Sequence, residues 1–302
     1  MRRLHAIVLA LCVIALPAAL LSACSSAQEE NTVQTTDYRL AQQGKLTFTA
    51  SLHNTPFEDK TGYEAEGFSV EVAKLIAQEM GLECEFTASK KSDALVAGVQ
   101  SSGDADVLVA SKKASQGLSD SSITYTSSYF DYKLAIAVNK KDNYSDTDEL
   151  VGKTIGVMKD SVAEDYVNDL VASWTKRRIA GAAKTKVKTY DTTADAMSDL
   201  QARNIDAVIA EEPVLKYYTR VMYYREEILA TGLGEEDSYC FAVASDNPQL
   251  VTAVNEALAA IKESGAYQEL YDSWFNVDET ESNPENPTTP PQDQSTYLKG
   301  AE

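Results

Sequence analysis

The residues able to do chemistry are few, and their types narrow what that chemistry can be. The 302-residue chain has two histidines, His5 and His53, and four cysteines, Cys12, Cys24, Cys84 and Cys240. No two of these stand at metal-ligand spacing, and one or two imidazoles supply neither a zinc site nor a His-based triad. No metal and no cofactor is expected. No glycine-rich loop follows a strand, so a dinucleotide or nucleotide phosphate site is unsupported as well. What remains is charge placed at the ends of apolar runs. Ser111-Lys112-Lys113 follows Val107-Ala110, where an ammonium can hold a carboxylate as a point charge or form a solvated basic turn. Lys159-Asp160-Ser161 joins an apolar run to a helix start, where free N–H groups favour an anion. Glu211 ends another apolar run just before Pro213. Glu211, Glu58 and His53 qualify by type as acids or bases, but nothing in their spacing demands catalysis.

The elements that must position these groups alternate regularly. Strands are expected at 45–52, 82–87, 106–110, 132–138, 153–158, 205–210 and 239–244. Helices with 3.6-residue stripes fall between them, among them Phe68, Val72, Leu75, Ile76 and Met80, with Ser69 able to cap the start and Gly81 the end. Asn247 caps and Pro248 opens the long last helix, and Gly265 breaks it before a second stripe of Tyr267, Leu270, Tyr271 and Trp274. Strand–helix alternation implies parallel sheets covered on both faces. It occurs before and after 139–146, so two α/β lobes are expected.

The termini differ from this. Met1-Arg2-Arg3, the apolar run Ala6–Leu21 and small residues before Cys24 make a signal peptide over 1–23, too short an apolar run to span a bilayer. Leu21-Ser22-Ala23-Cys24 resembles the lipobox of bacterial lipoproteins. That resemblance implies cleavage before Cys24 and lipid on its sulfur, with residues 24–43 a flexible lipidated tether. Residues 278–302, acidic and proline-containing, read as a disordered tail. Net charge is −19; loss of Arg2 and Arg3 leaves 25 basic against 46 acidic residues, −21. Such a charge repels phosphate backbones, so nucleic acid is not a partner.

Six segments then carry a family likeness. They are Thr55-Pro56-Phe57-Glu58, Glu66 to Ala73 (EGFSVEVA), Asp106 to Ala110 (DVLVA), Leu150 to Val157 (LVGKTIGV), Asp206 to Glu211 (DAVIAE) and Gly265 to Phe275 (GAYQELYDSWF). In this order the chain resembles the polar-amino-acid solute-binding proteins of ABC importers, family 3 of the bacterial extracellular solute-binding proteins, over about 45–277. The resemblance implies a periplasmic-binding-protein-like type II fold. Two Rossmann-like lobes, 44–138 plus 239–277 and 139–238, are joined by a two-strand hinge with the ligand cleft between them. It implies a monomer, extracytoplasmic and lipid-anchored to the cell membrane, that closes on an amino acid or amino-acid-like molecule and delivers it to an ABC permease. It also puts other strands between those of Cys84 and Cys240, which makes a disulfide improbable.

The resemblance further assigns residues. Glu211 stands where the family has an aspartate that pairs the ligand's ammonium. Ser161 lies in a ligand-contacting turn, and Asn54 stands where the family presents an aromatic. Phe57 is either a cleft platform or core. The family's carboxylate-binding arginine would fall at Leu118 or Ser119 and is missing, which leaves Ser111, Lys112 and Lys113 as substitutes. The fold also hosts enzymes, such as cyclohexadienyl dehydratases, and sensor or surface-antigen modules; these are the alternatives.

Overall fold

The structure, a computed structural model, describes residues 38–61, 64–88, 92–99, 103–110, 121–222 and 225–275. The signal peptide, Cys24, Ser111–Lys113 and the tail lie outside the described residues. Among these residues there are ten strands: β1 Lys45–Ala50, β2 Asp59–Thr61, β3 Glu64–Glu66, β4 Glu83–Ala88, β5 Val107–Ala110, β6 Ile123–Asn139, β7 Thr154–Met158, β8 Lys186–Tyr190, β9 Ala207–Glu211 and β10 Glu226–Ala244. The same residues hold seven α-helices: α1 Phe68–Glu79, α2 Ser92–Val99, α3 Val162–Lys176, α4 Thr193–Gln201, α5 Glu212–Tyr217, α6 Pro248–Glu263 and α7 Ala266–Phe275.

Eight strands form one continuous sheet in the order β4-β1-β5-β10-β6-β9-β7-β8, and β2-β3 is a separate hairpin. From either edge the plan is the same: three parallel strands, then a crossing strand running antiparallel to them. The crossing strands β6 and β10 pair with each other from Ile123↔Ala244 to Glu226↔Asn139, with several register shifts between. Each belongs to both lobes. They are much longer than the apolar runs 132–138 and 239–244 suggest, because many of their remaining residues are polar and half-buried or exposed, and so lie outside any apolar run. β8 escapes the apolar-run criterion for the same reason, since KVKTY is mostly exposed.

Three buried clusters fill the lobes. The largest joins β1, α1, α6 and Phe241 to Met197, Leu200 and Leu215 of the second lobe. A second, around Trp174, Ile155 and Ile209, lies under α3. A small third one packs α2 on Leu108 and Ala242. β1 and β5 separate the strands of Cys84 and Cys240, and both thiols are free.

Three local expectations are corrected. Ser69 does not cap α1: Gly67 is the N-cap residue, and the orphan donors at Phe68 and Ser69 bond the carbonyls of Pro56 and Phe57 instead. Ser69 Oγ pairs with the Tyr129 hydroxyl at 2.7 Å. Asn247 does not cap α6 with its side chain; that amide clasps Arg39, accepting from its N–H and donating to its carbonyl. Residues 38–43, expected within the tether, are likewise tied to the fold. Ala41 N–H donates to Asp106, and Tyr38 and Leu40 pack on the core.

Candidate functional site: the junction of the two lobes

The register fixes where the lobes face each other. β5 ends at Ala110, opposite Cys240, and β9 ends at Glu211, opposite Leu134. The parallel strands of both lobes therefore point their C-terminal ends at the same stretch of the crossing strands, where Phe130 pairs with Tyr239 and Tyr132 with Asp237. Loops after such strand ends are where open α/β sheets bind ligands. After β1 comes the loop of Asn54, after β7 the turn of Ser161, and after β9 Glu211.

Glu211 is 5% exposed at the end of a strand buried throughout. Its carboxylate acts on two buried phenols. Burial first, and then Glu211, push the hydroxyls of Tyr132 and Tyr239 above the ordinary tyrosine range, so both stay protonated donors. The rings are neighbours, with centroids 4.8 Å apart. Tyr132 donates to Asp237 Oδ2 at 3.4 Å, and Asp237 Oδ1 accepts the Ser238 N–H at 2.8 Å. The Tyr239 hydroxyl is wholly buried without a partner at full hydrogen-bonding geometry among the described residues; the Asn54 amide and Glu211 are polar groups that act on it.

The loop from Ser51 to Glu58 is stitched to itself and to α1. Asn54 accepts from the N–H groups of Phe57 and Glu58, and Asn54 N–H donates to the Glu58 carbonyl at 2.7 Å. Asn54 itself is half-buried beside Tyr239, at the edge of the junction. Phe57 falls to the core alternative: it is fully buried, packed at 4.1 Å from Tyr239 and ringed by Phe68, Phe130 and Phe275. Beneath the loop, Glu58 is 2% exposed; Ser51 donates to its Oε1 at 3.0 Å, and Oε2 has no hydrogen-bond partner among the described residues. Burial pushes this carboxyl up to about 7. His53 is exposed.

Ser161 is also at the expected strand end, but its hydroxyl is occupied. It donates to the Met158 carbonyl at 2.5 Å and accepts the Glu164 N–H, as the N-cap of α3. The Glu164 carboxylate folds back onto Asp160 N–H at 2.7 Å. An anion at this turn therefore competes with Glu164.

The sequence brings Asn54, Ser161 and Glu211 to the ends of strands that meet at the junction. It missed Tyr132, Tyr239 and Asp237. The two tyrosines open the apolar runs 132–138 and 239–244, and an aromatic first residue on each of two paired strands was the available signal. Asp237 follows the exposed Glu235 and Glu236 and reads as part of an acidic surface loop. Among the described residues, no group of His, Cys, Asp and Glu side chains gathers as a metal site, and no helix is long and apolar enough to cross a membrane.

Comparison with known proteins agrees with this architecture. The chain is 30% identical over 239 residues to the arginine-binding periplasmic protein of Mannheimia haemolytica, covering 73% of this chain and 86% of that one. It is 29% identical over 252 residues to the ABC transporter arginine-binding protein 1 of Escherichia coli K12, covering 76% and 90%. Among solved structures, the substrate-binding protein AbpA of Streptococcus pneumoniae bound to L-arginine superposes with a TM-score of 0.61 at 28% identity, covering 77% and 95%. The fold is the type II periplasmic-binding-protein fold, two lobes on a two-strand hinge. The model of the bacterial extracellular solute-binding proteins, family 3, matches residues 46–277, and the chain belongs to that family.

Proposed function

We propose that the protein captures an amino acid outside the cytoplasm and delivers it, as a monomer and without chemical change, to the permease of an ABC importer. The observation that carries this reading is Glu211, a buried carboxylate at the point where the strand ends of both lobes converge. A cleft that closes on an amino acid must pair the ammonium and the carboxylate, because an unpaired buried charge is very costly. Glu211 takes the ammonium. Lys112 or Lys113, with Ser111, follows β5 in sequence and meets the carboxylate from the first lobe. Asn54 contributes its amide at the rim. Ser161 serves by holding the turn, since its hydroxyl is occupied. The first lobe comprises 44–138 and 239–277, the second 139–238. The relatives named arginine-binding support an amino acid as ligand.

The deciding experiment is mass spectrometry of what co-purifies, followed by calorimetric titration with each amino acid. A bound amino acid recovered unchanged supports the reading. Rapid turnover of that compound by the purified protein would instead make it an enzyme. Anchoring rests on Leu21-Ser22-Ala23-Cys24. Cys24→Ala is expected to appear in the medium; retention with membranes at the wild-type level would refute the lipid anchor.

A further inference from the structure

A second carboxylate lies at the junction. Asp237 is 4% exposed on β10, and its neighbours Glu235 and Glu236 are exposed, so the strand turns this one acid of three inward. Among the described residues no lysine or arginine pairs with it. Its contacts are the adjacent Ser238 N–H and a long 3.4 Å bond from Tyr132. One more hydroxyl at this point, that of Tyr239, is wholly buried beside Tyr132, with the Glu211 carboxylate and the Asn54 amide as the polar groups that act on it.

The charges can be balanced against ligand classes. A neutral amino acid brings one ammonium, which Glu211 takes under the proposed function. Asp237 then stays buried on two neutral hydrogen bonds, which is a poor exchange for its lost hydration. A ligand with a second cationic group compensates both acids at once. The aromatic surroundings favour the same ligand, because tyrosine rings attract cations and a guanidinium or ammonium can donate to a phenol oxygen.

We propose that Asp237, with the hydroxyls of Tyr132 and Tyr239, is a specificity-determining subsite on the hinge strand that receives a positively charged side chain of the ligand. The inference rests on the reading of the protein as an amino-acid receptor. It adds that the hinge itself, and not only the lobe loops, reads the ligand.

The test is calorimetry of ligand-stripped wild type, Asp237→Asn and Glu211→Gln with L-arginine, L-lysine and the neutral L-glutamine. Wild type is expected to bind one of the cationic amino acids at least about tenfold more tightly than glutamine, the size of one charged hydrogen bond. Asp237→Asn is expected to remove that advantage and leave glutamine binding within about threefold, on the same basis. Glu211→Gln is expected to weaken all three. Equal losses for cationic and neutral ligands in Asp237→Asn, or a wild type that prefers glutamine, would overturn the subsite while leaving the receptor reading intact. A wild type that binds no amino acid would overturn both. If Asp237→Asn does not fold, as judged by its melting curve, Tyr239→Phe keeps the ring and deletes the hydroxyl. It is expected to lose cationic ligands selectively, and an unchanged preference would refute the proposal.

Discussion

Two buried glutamates separate function from stability at the scale of single residues. Glu211 is proposed to face the ligand, and Glu211→Ala should weaken amino-acid binding by roughly 1.5–3 kcal/mol in a calorimetric titration, the usual worth of a charged hydrogen bond. Glu58 faces the core. Its carboxyl titrates at about 7 against an ordinary 4.5, because burial outweighs the single bond from Ser51. A raised folded-state value means that the folded protein keeps a proton the unfolded chain gives up. The contribution is fully present below pH 4.5, is lost between pH 4.5 and 7, and is level above that. Glu58→Gln, which cannot ionise, should therefore be more stable than wild type at pH 8, by up to about 3 kcal/mol. It should be closer to wild type at pH 4. Denaturant melts at the two pH values check this; an equal difference at both would contradict it.

Individual elements show where the sequence was legible. Helix α1 was readable from its apolar stripe, and Gly81 ends it with φ +69°. Its beginning was not, because the partners of its free N–H groups are the carbonyls of Pro56 and Phe57, contributed by a loop twelve residues earlier. Periodicity reports burial on one face of one element; it is silent on tertiary caps. The same limit explains β6 and β10, whose buried halves were read and whose half-exposed parts were not. It explains Asp237 too, since nothing local distinguishes an inward acid from its outward neighbours. Glu211 was legible because a charge ending a continuous apolar run contradicts its own context. The start of α1 gives a prediction at this scale. Gly67 has φ +119°, and a β-carbon there would lie 2.5 Å from the Phe57 carbonyl oxygen, a backbone atom that cannot swing away. Gly67→Ala should destabilise the fold by on the order of 3 kcal/mol, as strain plus a backbone clash. A melting temperature unchanged from wild type would show that the loop yields freely.

At the scale of the whole molecule, the sheet is one object and the lobes are its two ends. β6 and β10 stay hydrogen-bonded to each other through both, interrupted by register shifts between Ile228 and Asp237 and again between Tyr239 and Ala242. Bending concentrates where the ladder is broken, so closure should occur about this stretch, next to Asp237 and Tyr239. Ligand shifts a two-state equilibrium only by its differential affinity for the closed form. Small-angle scattering is expected to show a smaller radius of gyration with saturating amino acid and no change with a solute that does not bind. Identical curves with and without the bound ligand would contradict closure.

The seam at the far end of these strands has a further meaning for how such a protein is altered. Asn139 pairs with Glu226, and Lys140 N–H donates to the Arg225 carbonyl at 3.0 Å, so the chain leaves for the second lobe and returns from it at adjacent points. Everything between 140 and 225 is thus a cassette with its two ends side by side. A relative's segment spliced in here must still bring a strand that pairs with Leu134–Val138 as β9 does, and side chains that fill the places of Met197, Leu200 and Leu215 in the shared core. Such a chimera would import its own counterpart of Glu211 and Ser161 and retain Asn54 and Asp237. Ligand preference would then be inherited from two parents, each half contributing its own contacts.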